Sequence, residues 1–139
     1  MKAAQTLISV GLYTSSLLGI QILLMDKWLW NAAPTHALGL ITFVLVDTAL
    51  LAGMWKETGF ATIGAALASI VQLTAMLSDV ALGHPSDVSA STFRIYLLGD
   101  TAFISLLATQ VVILVLATAT VAMPLAHSHR LVLAKVREN

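Results

Sequence analysis

The sequence predicts an all-α integral membrane protein, a four-helix bundle built from two tandem helical hairpins. Three observations predict it. Four apolar runs are each long enough, at about 1.5 Å per residue, to cross the ~30 Å hydrocarbon layer of a bilayer. Charge is scarce: of 139 residues, 58% are hydrophobic and 10% charged, where an average soluble domain is about 25% charged. A soluble fold of that length could not hide so much apolar side chain, so the medium that hides it is lipid. Third, a shift of about 53 residues lays Asp47-Thr48-Ala49 on Asp100-Thr101-Ala102.

The first run, Gln5 to Met25, is longer than the roughly 7–15-residue core of a signal peptide. Asp26, Lys27 and two tryptophans separate it from Ala32 and Ala33, so a retained span over 5–25 is expected. Charges beside Trp28 and Trp30 mark a membrane–water interface. Asn31 to Pro34 reads as a turn, with Thr35 as helix N-cap. The second span, 35–55, closes on Trp55, again an interfacial ring. Lys56-Glu57-Thr58-Gly59 is a tight connection, so the second and third spans, the latter over 60–82, are expected as antiparallel neighbours.

Gly83 to Asp87 is the clearest break in the chain. The apolar run beyond it, Phe93 to about Ala126, is too long for one crossing. It must tilt, begin outside the membrane, or be interrupted near Gly99 or Pro124. A span over 93–123 that stops near Pro124 is expected. The first 126 residues then form the transmembrane domain and 127–139 a cytoplasmic tail, either an amphipathic segment at the headgroups or a frayed one. Lys2, Lys56, Arg130, Lys135 and Arg137 fall on one side, and Lys27 and Arg94 on the other. This asymmetry puts both termini in the cytoplasm.

In the 53-residue register about 11 of 53 positions are identical, among them Gly11/Gly64, Ser16/Ser69 and Asp26/Asp79. Two spans per copy make the copies parallel, related by an axis along the membrane normal. The register also sets Asp47 and Asp100 at matching depths, with Thr48 and Thr101 beside them. A carboxylate inside a span costs roughly 2.5–3.5 kcal/mol on insertion scales, so it needs a partner or a task. Three readings are open: a proton or cation relay between the two Asp across the axis, acceptors of Thr, Gln or helix N-terminal donors that fix packing, or sites for a cation on a partner subunit. Gln21, Gln72, Thr74 and Gln110 are the other polar groups in the spans. Gln21 and Gln72 join Asp47, Thr48, Asp100 and Thr101 as the candidate intramembrane site.

Asp26, His36, Asp79, His84 and Asp87 gather at the outer face, the first four as candidate Zn or Cu ligands. They come from three segments without short ligand spacing, so solvated interfacial groups are the expected reading. His127 and His129 make a weaker chelating pair. No cofactor is predicted beyond surrounding lipid. Zero net charge and the absence of a basic field argue against nucleic acid. Cysteine is absent, which excludes disulfides and thiolate chemistry. No nucleotide, HExxH or Ser-His-Asp pattern occurs. Gly19, Ala52, Gly53, Gly64, Ala65 and Ala68 sit at helical spacing and favour close packing.

LLGIQILLMDKWLW followed by LVDTALLAGMWKETGFATIGAALASIVQLTAML, roughly residues 17–78, resembles the DoxX/DoxD-like small four-helix membrane proteins. Their first helix ends near an acidic–Lys pair, and their next two are joined by a short charged turn. The resemblance implies a membrane partner of a redox or respiratory system rather than a self-sufficient enzyme. The expected function is an accessory or structural subunit of a larger membrane complex, associated with other membrane subunits or with itself. The alternative is a small oligomeric proton or cation conductor using Asp47 and Asp100.

Overall fold

The computed structural model describes residues 3–82 and 88–137, with side chains to 122. The described residues are helical almost throughout: α1 Ala3–Met25, α2 Lys27–Ala32, α3 Pro34–Trp55, α4 Gly59–Leu82, α5 Ala90–Gly99 and α6 Thr101–Arg137. Helices α1, α3 and α4 and the Thr101–Ala122 part of α6 are each long and apolar enough to cross a membrane. A helix satisfies every backbone group internally, which is what a hydrocarbon medium demands. Around the bundle the order is α1, α3, α4, α6. Helix α1 packs on α3 and α6, and α4 on α6 and α3, with α1 and α4 meeting lightly across the diagonal.

Each connection has a local cause. Asp26 caps α2 by accepting a hydrogen bond from Leu29 N at 3.0 Å, and Trp30 Nε1 donates back to Leu23 O at the end of α1 (2.7 Å). The expected cap at Thr35 is not used. Helix α3 starts one residue earlier, at Pro34, behind Ala33. Proline suits the first helical position, because its missing N–H would have no intrahelical acceptor there. After α3 the chain turns through Glu57 at φ 54°, and Thr58 N reaches back to Gly53 O at 3.1 Å. Arg94 reaches from α5 to the end of α4, where Nε and Nη2 donate to Val80 O (2.7 Å) and Ala81 O (2.6 Å). A cation on those last carbonyls is favoured by the helix dipole.

The fourth apolar run differs from a single span over 93–123 in two ways, the first being an interruption that the sequence left open near Gly99. The helix breaks at Asp100, whose backbone is extended (φ −90°, ψ 111°) and whose Oδ1 accepts from Ala102 N at 2.9 Å. Asp100 is thus a cap, ending α5 and starting α6. Nor does the helix stop near Pro124. It continues to Arg137, although an internal proline removes one backbone hydrogen bond and its ring crowds the carbonyl four residues before it. The Gly83–Asp87 break and the side chains of the tail lie outside the described residues.

The repeat is visible in the packing, with a correction. In the 53-residue register the buried positions Ile8, Ser9, Leu12, Ser16 and Gly19 of α1 fall on Ala61, Thr62, Ala65, Ser69 and Gln72 of α4, which are also buried. Between α3 and α6 the matching shift is 63 instead. It sets Asp47 on Gln110 and Met54 on Ala117, all four buried. The glycine contacts obey both registers. A Cβ at Gly11 would lie 2.7 Å from Ile113, and a Cβ at Gly64 would lie 2.6 Å from Leu50. Gly11 and Gly64 are 53 apart, whereas Leu50 and Ile113 are 63 apart. The difference equals the 10 residues of α5, which sits ahead of α6 as an extra segment. Asp47 and Asp100 are therefore equivalent in sequence but not in depth.

Candidate functional site

Four helices each send a polar side chain to one point inside the bundle. Asp47 on α3 is 1% exposed. Its Oδ2 accepts from Ser15 Oγ on α1 at 2.5 Å and from Gln110 Nε2 on α6 at 3.1 Å. Its Oδ1 accepts from Gln72 Nε2 on α4 at 2.7 Å. Gln110 Nε2 also donates to Gln72 Oε1 and to Ser15 Oγ, both at 2.7 Å. Gln110 Oε1 accepts from Ser69 Oγ at 2.9 Å. The direction is consistent: donors run from Ser69 through Gln110, Gln72 and Ser15, and end on the carboxylate.

Among the described residues no buried side-chain nitrogen or oxygen lacks a hydrogen-bond partner. That completeness matters, because an unsatisfied polar group in a dry interior costs about 1–3 kcal/mol. The local sequence explains the convergence. Ser15 follows Ile8 and Leu12 on the buried face of α1, and Ser69 and Gln72 lie at i, i+3 on that of α4. Small neighbours such as Gly19, whose Cβ would lie 2.5 Å from Val44, let the backbones approach until short polar side chains meet.

Of the six candidate intramembrane residues, the structure brings Asp47 and Gln72 together. Thr48 is exposed beside them; its Oγ1 donates to Val44 O of its own helix (2.7 Å) and lies 3.4 Å from Ser16 Oγ. Asp100 and Gln21 instead line a small opening with Asp26, near the α2 end of the bundle, and Thr101 is exposed at the start of α6. A pair of Asp facing each other is thus not what the fold builds. Residue Ser15 escaped sequence reasoning, and Gln110 was recognisable only as a polar residue in a span. The signal for Gln110 is the 63-residue register, which cannot be seen until α5 is known, whereas Ser15 has only its place on the buried face of α1.

Of the candidate metal ligands, His36 Nε2 meets Asp79 Oδ1 at 3.2 Å, Asp26 caps α2, and His84 lies outside the described residues. Groups of three or more His, Cys, Asp or Glu suited to a metal are absent among the described residues.

The His36–Asp79 pair borders a cavity of about 280 Å³ between α3, α4, α5 and α6. Phe43, Met76, Phe103 and Leu106 form its deeper wall. Phe93 stands 4.4 Å from the His36 ring, centroid to centroid, and Tyr96 stacks on Trp28 at 4.0 Å. These rings bind α2, α3 and α5 into one cluster. No family model, curated protein or solved structure matches the chain.

Proposed function

We propose that the chain is a non-catalytic accessory or structural subunit of a larger integral membrane complex of respiratory or redox type, with both termini in the cytoplasm. One observation carries the reading: the ionisable group in mid-bundle spends its hydrogen-bonding capacity on Ser15, Gln72 and Gln110, side chains of the three other helices. A carboxylate used this way fixes the rotation and depth of four helices against one another. A rigid bundle of this kind presents apolar outer faces to lipid or to neighbouring helices. Leu38 and Leu45 of α3 and Val112 and Val115 of α6 are exposed there. The lysine and arginine asymmetry supports the orientation.

Purification from native membranes in a mild detergent tests the reading. Stoichiometric membrane subunits that stay with the chain through sizing are the expected result. A homogeneous homo-oligomer that moves protons or cations in liposomes, and falls silent when Asp47 and Asp100 both become Asn, would overturn it.

A further inference from the structure

We propose that the 280 Å³ cavity at the α2–α5 end is a binding site for a neutral aromatic molecule of two fused rings, taken up from the surrounding bilayer. Nothing in the structural-subunit reading requires this site, and it stands on separate observations. Size sets the number of rings. A dry apolar cavity of about 150 Å³ takes one benzene, and this one has nearly twice that volume. It also lies just under the ~300 Å³ lower bound of ordinary ligand pockets, which limits the occupant to a small molecule.

The lining disfavours charge. Its polar groups already have protein partners: His36 Nε2 lies 3.2 Å from Asp79 Oδ1, His36 Nδ1 lies 3.4 Å from Thr35 Oγ1, and Asp100 Oδ1 accepts from Ala102 N at 2.9 Å. A charged guest would shed its water and find those groups engaged with one another or with the backbone. The lining selects rings for a different reason. Transfer between two apolar places in a bilayer is not driven by the hydrophobic effect, since lipid tails are as apolar as leucine. Specific contacts decide, and here they are aromatic. Of the phenyl and phenol rings that border the cavity, Phe93 and Tyr96 already stack with Trp28, at 6.3 and 4.0 Å. Phe43 and Phe103 make no ring contact among the described residues. They line the cavity from α3 and α6, the two spans that do not pack on each other. A flat guest gives each of these rings an aromatic partner, and the Met76 thioether in the same wall favours rings as well. An acyl tail offers neither contact.

The test uses the full chain in nanodiscs of zwitterionic lipid, with radiolabelled naphthalene as the probe. Saturable binding above that of empty nanodiscs is expected. Decalin, the saturated molecule with the same carbon skeleton, should compete about ten-fold more weakly, the scale of two aromatic pairs. N-methylquinolinium, a charged molecule of the same shape, should also compete about ten-fold more weakly or worse. Phe43→Leu and Phe103→Leu each remove one ring and keep the wall apolar. Either alone should cut the preference for naphthalene over decalin about three-fold, and the two together should erase it. A loss of folded protein lowers both affinities alike, so a purely structural role for these rings leaves the preference at its wild-type value. The proposal is overturned by binding no greater than to empty nanodiscs, which assigns the cavity to acyl tails. It is equally overturned by decalin or N-methylquinolinium competing as well as naphthalene, or by a wild-type preference in the two single variants.

Discussion

Replacing Asp47 with Asn is the most direct probe of the buried lock. The side chains are nearly isosteric, so packing is kept and the hydrogen-bond pattern alone changes. One carboxylate oxygen becomes an amide nitrogen. That nitrogen must face either Gln72 Nε2, a donor (2.7 Å), or Ser15 Oγ and Gln110 Nε2, which also donate (2.5 and 3.1 Å). Gln72 cannot simply flip its amide, because its Oε1 already accepts from Gln110 Nε2. One or two contacts are lost. Hydrogen bonds between membrane helices average about 0.6 kcal/mol and reach about 1.7, so the expected loss is about 1–3 kcal/mol.

Equilibrium unfolding by sodium dodecyl sulfate in mixed micelles measures it. Thr48→Val is the control: Thr48 is a neighbour on the same helix, exposed, and donates to its own backbone, so about 0.5 kcal/mol or less is expected. A cycle with Ser15→Ala should show coupling, since both changes remove the same hydrogen bond. If Asp47→Asn and Thr48→Val unfold alike, the carboxylate is not the acceptor on which the four helices converge.

Further substitutions test the neighbouring contacts. Ser69→Ala removes the donor to Gln110 Oε1 and should cost about 0.6 kcal/mol in the same titration. Gly19→Leu drives a side chain into Val44, whose Cγ2 would lie 2.5 Å from the new Cβ; a loss of about 1–3 kcal/mol is expected. Gly39→Ala meets nothing and should be neutral or stabilising by up to about 1 kcal/mol, because it removes a mid-helix glycine. Asp100→Ala removes the cap on Ala102 N and should cost about 1 kcal/mol, with faster backbone amide exchange at the α5–α6 junction as the local readout.

The sequence alone determined the medium and the crossings. Hydropathy is a property of single residues summed over a window, so the four runs, their interfacial tryptophans and the turns at Pro34 and Gly59 could be read without knowing any contact. It also offered the 53-residue register through Asp26/Asp79 and Gly11/Gly64, in which buried positions of α1 and α4 coincide. Tertiary structure decided which polar groups meet. That depends on helix rotation and on axial register, and the ten residues of α5 move α6 along its axis while leaving the Asp-Thr-Ala match intact. Hence Gln110, not Asp100, stands opposite Asp47, and Ser15 completes the lock from a face that looks merely small. The cavity is likewise tertiary: His36 and Asp79 are 43 residues apart, and packing between helices brings them together.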